Sequence, residues 1–251
     1  MSNALIIPGV FGAIVGSFLN VVAFRLPRRE SLIRPGSHCT SCGTEVRPWH
    51  NIPIVGWLWL RGRCHDCGTR ISARYPVVET VTAALYLAVI ANKGLDRDAI
   101  LPLLLVTALI PITLTDLDQR IIPNAITGTA AAAGIAAALL IDTSSVPERL
   151  LAAGIAGGAF LAIALAVPGG MGMGDVKLVG VLGLYLGSAV APAIFIALLT
   201  GSLAGAVVMS RKGVREGRKT TIPFGPFLVL GGLVCLFAGP QILDLYTDHA
   251  I

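Results

Sequence analysis

Gly172-Met173-Gly174-Asp175-Val176-Lys177-Leu178 sets a carboxylate and a lysine between long apolar runs. A charge in such surroundings is costly, and where one persists it usually marks a site of chemistry. Whether the flanking runs are membrane spans or core helices decides the fold, and composition answers that. Apolar residues make up 55% of the 251 residues and charged residues 13%, with a mean hydropathy of +0.79. A soluble domain is nearer a quarter charged, so this chain lacks the residues to cover a water-exposed surface. Its apolar runs also reach the roughly 20 residues that a bilayer crossing needs. An all-α polytopic membrane protein is therefore expected. About eight transmembrane helices are predicted, near 4–24, 77–92, 99–115, 122–141, 150–167, 176–190, 191–209 and 224–243. The last pair but one requires a very short turn at Gly187-Ser188-Ala189.

The first run has no basic residue before it and no small-residue cleavage site closing a short core, so it reads as a true span. The expected divisions are a first helix over 1–24, a polar insert over 25–76 and a transmembrane core over 77–251. Basic residues orient the chain. The insert holds Arg25, Arg28, Arg29, Arg34, Arg47, Arg61, Arg63, Arg70 and Arg74, and the loop before the last span holds Arg211, Lys212, Arg215, Arg218 and Lys219. With the insert in the cytoplasm, eight spans put both groups, Arg120 and Lys177 inside, leaving Lys93, Arg97 and Arg149 outside. The positive-inside bias predicts both termini outside. Orientation and anionic-lipid contact account for the net charge of +5, so no nucleic-acid partner is called for. Clusters such as Ala130-Ala131-Ala132-Ala133-Gly134 suit close helix packing in lipid.

The insert carries Cys39-Thr40-Ser41-Cys42 and Cys64-His65-Asp66-Cys67, followed by Gly43 and Gly68. Four thiolates in two CxxC knuckles suit a tetrahedral, closed and therefore structural zinc site. Two redox dithiols are the alternative, though no βαβ redox pattern surrounds them. Trp49, Ile52, Ile54, Val55, Trp57, Leu58, Trp59 and Leu60 form an aromatic and apolar patch, either a knuckle core or a surface in the headgroup region. Cys235, alone in the last span, reads as an inert buried thiol.

The third span ends Thr115-Asp116-Leu117-Asp118, on the side expected for Asp175. Asp116 and Asp175 can therefore share one depth. Two carboxylates that face each other do not both ionise readily, so one keeps a proton while the other stays charged. That pair can activate water and polarise a carbonyl. The competing roles are helix capping, reasonable for Asp175 at a helix start but poor for Asp116 at a helix end, and an ion pathway. Gly172 and Gly174 would let an extended substrate approach Asp175 or permit the turn before it. Lys177 reads as a helix-end anchor, with tuning of Asp175 the alternative. Asp118 reads as a supporting or solvated carboxylate. Ile222-Pro223-Phe224-Gly225-Pro226-Phe227 is a stiff entry to the last span, serving helix initiation or lining the cleft.

The chain resembles the bacterial prepilin peptidases, also called type IV leader peptidases, which are membrane aspartic proteases of the GxGD type. The resemblance rests on Gly16-Ser17-Phe18-Leu19-Asn20, Arg25-Leu26-Pro27, the paired CxxC insert and Ser72-Ala73-Arg74-Tyr75-Pro76-Val77-Val78-Glu79. It continues through Asp116-Leu117-Asp118, Ile122-Pro123-Asn124, the stretch around Asp175 and Pro223-Phe224-Gly225-Pro226-Phe227. It implies that Asp116 and Asp175 are the catalytic aspartates of an enzyme in the bacterial inner membrane. It also implies that prepilins and pseudopilins lose a short basic leader at the cytoplasmic face. Relatives with the cysteine insert also methylate the new amine with S-adenosylmethionine, although no glycine-rich nucleotide loop shows this independently. Asn124 departs from the Asp found in many relatives. Because the leader is basic, Glu79 and Asp118 are the first carboxylates expected to grip it. A transporter would also use intramembrane carboxylates but should show repeated halves, which are not evident. A membrane scaffold with a zinc knuckle would make both aspartates dispensable.

Overall fold

The apolar runs fold as helices because a bilayer leaves backbone N–H and C=O groups no partner except one another. In a computed structural model, which describes residues 2–167, 169–213 and 222–248, the described residues contain nine α-helices and no named strand. These are α1 (Ser2–Arg25), α2 (Val55–Trp59), α3 (Arg74–Lys93), α4 (Ile100–Gln119), α5 (Asn124–Ile141), α6 (Val146–Ala166), α7 (Met173–Leu186), α8 (Val190–Lys212) and α9 (Gly225–Asp248). Six helical stretches among the described residues are long and apolar enough to cross a membrane. The sixth, Met173–Lys212, spans 40 residues and divides into α7 and α8, while α9 carries a shorter apolar stretch, Gly225–Gly239. Eight apolar helices result, as composition predicted. Arg215, Arg218 and Lys219 of the expected basic loop lie outside the described residues.

The chain forms two compact units, Met1–Ala99 and Ile100–Ile251. In the first, α1 and α3 run antiparallel along a ladder of α1 glycines. A Cβ on Gly12 would lie 2.9 Å from the Ala83 Cα and the Tyr86 Cβ, and one on Gly16 2.7 Å from the Thr82 hydroxyl. The missing side chains let the backbones close up, which is how helices associate where lipid is as apolar as leucine. Asn20 donates its Nδ2 to the carbonyls of Gly16 and Tyr75 at 3.3 and 3.4 Å, bridging the two helices. Glu79 of α3 is buried, and its Oε2 accepts the Ile54 N–H at 2.6 Å. Ile54 sits at φ 63° and ψ −54°, and the Val55 N–H reaches back to the Pro53 carbonyl at 2.6 Å. That is a γ-turn of the strained hand, on a β-branched residue. The buried carboxylate thus holds the insert's tightest bend.

The second unit is built around α7, which touches α4, α5, α6, α8 and α9. Leu105, Leu109 and Ile112 of α4 recur at helical spacing and are fully buried, as are Leu178 and Leu182 of α7 and Leu228 of α9. α4, α7 and α9 meet where Leu182 and Leu109 close over Gly232. The Tyr185 hydroxyl of α7 donates to the Ala130 carbonyl of α5 at 2.8 Å.

The turn expected at Gly187-Ser188-Ala189 is a single 3₁₀ turn, and α6 satisfies its polar ends. Arg149 Nη1 donates to the Leu184 and Tyr185 carbonyls at 3.3 and 2.6 Å. Glu148 Oε1 accepts the Ser188 N–H at 3.2 Å. Cation on the ending helix and anion on the starting one match the two dipoles, so a 40-residue apolar segment can break without orphaned backbone groups. Glycine again permits the closest approaches: a Cβ on Gly183 would lie 2.7 Å from the Ala153 Cα, and one on Gly231 would strike the Ala193 carbonyl oxygen. Because that oxygen is backbone and cannot swing aside, Gly231→Ala is expected to destabilise this unit by about 1–3 kcal/mol. A lowered melting temperature in detergent would show it, whereas Gly205→Ala, which meets nothing within 4 Å, should leave it unchanged.

Candidate active site and metal centre

Four helix ends gather at one end of the second unit. α4 finishes there, and α5, α7 and α9 begin there, tied by three contacts. Lys177 Nζ donates to Asn124 Oδ1 at 2.7 Å, linking the first turns of α7 and α5. Ile122 packs on Gly174, where a Cβ would lie 2.9 Å from the Ile122 Cβ. The Gly225 N–H donates to Asp116 Oδ2 at 2.9 Å. Three helix starts thus turn their positive ends toward one cluster, which favours negative charge in otherwise apolar surroundings.

Both predicted aspartates stand in that cluster. Asp116 lies in the last turn of α4 and is 6% exposed. Asp175 lies in the first turn of α7 and is half-buried. The two carboxylates interact electrostatically. Gly172, the residue that precedes α7, lies beside the Asp175 carboxylate. Asp116 also interacts with Arg120. The Asp116 carboxylate is therefore set by a glycine amide at the start of a helix whose first residue is 109 positions away.

The other expected site residues fall as follows. The space that a side chain would take at Gly174 is filled by Ile122, and a Cβ on Gly172 would lie 3.1 Å from Asp175 Oδ2. Lys177 engages Asn124. Asp118 is exposed at the end of α4, and Glu79 belongs to the first unit with its Oε2 on Ile54. Pro123, within the span expected near 122–141, is the cap residue of α5, with extended backbone. Gly225 is a residue that sequence reasoning left undecided. Its only signal was the pair of prolines around it.

In the first unit the two CxxC knuckles are copies of one another. The Cys39 N–H pairs with the Thr44 carbonyl at 2.9 Å, and the Cys64 N–H pairs with the Thr69 carbonyl at 2.8 Å. Gly43 and Gly68 turn back at φ 74° and 71°, which glycine adopts freely. Their N–H groups return to the Cys39 and Cys64 carbonyls. The knuckles face each other with Cys39 Sγ 3.8 Å from Cys67 Sγ and Cys42 Sγ 4.0 Å from Cys64 Sγ. All four sulfurs lie within 4.8 Å of one another. A tetrahedral thiolate site with metal–sulfur bonds of about 2.3 Å has sulfur–sulfur edges of about 3.8 Å, so the four cysteines fit a metal ion. The Thr69 hydroxyl and N–H bring the Cys67 thiol down to about 6, and backbone N–H groups of Cys42 and Ser41 lower Cys39. Both effects favour the thiolate that a metal requires, whereas Cys64, despite the backbone N–H groups of Cys67 and Asp66, is raised by burial and by the neighbouring Cys67 and Cys39 sulfurs. The aromatic patch divides. Trp57 packs over Gly62 and donates its Nε1 to the Ile71 carbonyl at 3.1 Å, while Trp49, Leu58 and Trp59 are exposed.

Two carboxylates gathered among helix ends, in an apolar helical unit, make a candidate paired-aspartate centre in a membrane protein. Residues 103–210 match the model of the type IV leader peptidase family, and residues 10–93 that of the bacterial peptidase A24 N-terminal domain. Curated relatives named prepilin leader peptidase/N-methyltransferase align along nearly their whole length. One from Legionella pneumophila is 34% identical over 99% of both chains. One from Bacillus subtilis is 34% identical over 96% of this chain and 97% of its own. One from Pseudomonas aeruginosa is 34% identical over 96% and 92%. No solved structure matches the chain. The chain belongs to the type IV leader peptidase family.

Proposed function

We propose that this chain is an aspartic endopeptidase of the bacterial inner membrane. It removes the basic leader of prepilins and pseudopilins at the cytoplasmic face and methylates the amine it exposes. The observation that carries the peptidase half is the gathering of Asp116 and Asp175 at one end of one unit, amid three helix starts.

In this scheme one aspartate is charged and the other protonated. The charged carboxylate takes a proton from water as the water oxygen bonds to the scissile carbonyl carbon, and the protonated one gives its proton to the carbonyl oxygen. The resulting gem-diol collapses when a proton passes to the amide nitrogen. The carbon–nitrogen bond breaks, leaving a leader carboxylic acid and a free N-terminal amine. Water activated in this way leaves no covalent enzyme intermediate. Asp118, exposed one half-turn beyond Asp116, would meet the basic leader. Glu79 would have to release the Ile54 amide to do the same. Cys39, Cys42, Cys64 and Cys67 would hold Zn²⁺, whose closed thiolate shell gives it a structural role. S-adenosylmethionine supplies the methyl group when bound.

The test is incubation of the purified protein in detergent with a prepilin-like peptide and labelled S-adenosylmethionine. Cleavage and label on the new amine are expected together. Absence of cleavage by folded wild type overturns the peptidase assignment, and cleavage without label removes the methyltransferase half.

A further inference from the structure

The entry to α9 does more than start a helix. The first N–H groups of any helix lack partners within it, and here the chain disposes of them one by one. Pro226 has no N–H. Those of Phe227 and Leu228 return to the Phe224 carbonyl at 3.0 and 3.2 Å. The Gly225 N–H remains, and it meets Asp116 Oδ2 at 2.9 Å in a buried setting. A second, steric observation is independent of the first: a Cβ on Gly225 would lie 2.5 Å from that oxygen and 3.1 Å from the Asp116 Cγ. No side chain fits there unless Asp116 moves. The amide is also stiffly held. Pro223 and Pro226 restrict the backbone on both sides, and the Phe224 and Phe227 rings pack 3.3 and 3.5 Å from where a Cβ on Gly201 of α8 would stand.

We infer that Gly225 is the positioning residue for Asp116: its amide fixes one oxygen of the carboxylate, and its missing side chain leaves room for the carboxylate to face Asp175. The inference rests on the peptidase assignment and adds to it a residue with no ionisable group. An Asp side chain without a fixed donor can rotate about its Cα–Cβ bond into other staggered positions. Misplacing a reacting group by about 1 Å costs on the order of 100-fold in rate.

Two variants test it in the full-length protein. Gly225→Ala adds the obstructing carbon. Replacement of the Phe224–Gly225 amide by an ester, with glycolic acid at that position, puts an oxygen where the donor stood and adds no bulk. Cleavage of a prepilin-like peptide is expected to show kcat about 100-fold lower in Gly225→Ala and about tenfold lower in the ester, with KM within about threefold. Gly205→Ala, with nothing near its new carbon, is the neutral control. If Gly225→Ala does not fold, the ester alone decides. The inference is overturned if wild type cleaves and Asp116→Asn does not, yet the ester keeps kcat within threefold. A raised KM at unchanged kcat overturns it too, by making the segment a substrate contact. A wild type that cleaves nothing contradicts the peptidase assignment instead.

Discussion

Asp175→Asn, and separately Asp116→Asn, should give protein that folds and inserts but cleaves a prepilin-like peptide about 10⁴-fold more slowly. The asparagine substitution is chosen because both aspartates have a structural occupation. Asp116 accepts the Gly225 N–H, and Asp175 stands in the first turn of α7 beside Gly172. Asparagine caps helices about as well as aspartate and still offers a carbonyl oxygen to an amide. A role limited to capping therefore predicts near-normal cleavage in both variants, whereas a dyad predicts loss in both. Residues acting as a unit are also non-additive, so the double variant should be hardly slower than either single one. Initial rates by mass spectrometry, beside melting temperatures in detergent, separate these outcomes. Cleavage retained in either single variant would remove the dyad and return the aspartates to their caps.

The aspartates were legible because a charge within an apolar run is rare for a physical reason, and that reason needs no knowledge of neighbours. The helices were legible on the same ground, as were the knuckles, where ligand spacing is local. What escaped was long-range. Asp116 looked like a poor cap because it ends α4, but the helix it caps is α9, far along the chain. Nothing in either stretch announces the other. Gly174 suggested access for a substrate backbone, and its open side is taken by Ile122 from the α4–α5 turn. Lys177 was weighed against Asp175 and finds Asn124. Arg149 read as one of the few basic residues left outside, yet with Glu148 it closes the break between α7 and α8. Thr44 and Thr69 repeat at the same place in the two knuckles and bond the second sulfur of each pair, a local signal the sequence carries.

Cys39→Ser combined with Cys42→Ser should abolish binding of about one metal ion per chain and with it the folded insert. The reason is the absence of any other sufficient source of stability there. Between residues 26 and 73 only Gly56 and Gly62 are buried, so no apolar side chain is fully removed from water, and a segment of this size needs a staple. Closed thiolate zinc sites contribute about 10–16 kcal/mol in zinc-finger peptides at neutral pH, far more than the single Trp57 contact with Ile71 can replace. Metal analysis of the purified variant and trypsin digestion at the insert's arginines measure the two halves of the claim. Wild type should resist trypsin until a chelator is added. Acid should act like the chelator, because protons compete with the metal for each sulfur. The Cys67 thiol sits at about 6 without metal while that of Cys64 is raised, so protons compete for part of the site well above pH 6, and metal affinity should fall throughout acidification, most steeply once Cys67 too is protonated. A wild type that contains no metal, with four titratable thiols and an insert already open to trypsin, would reject the site.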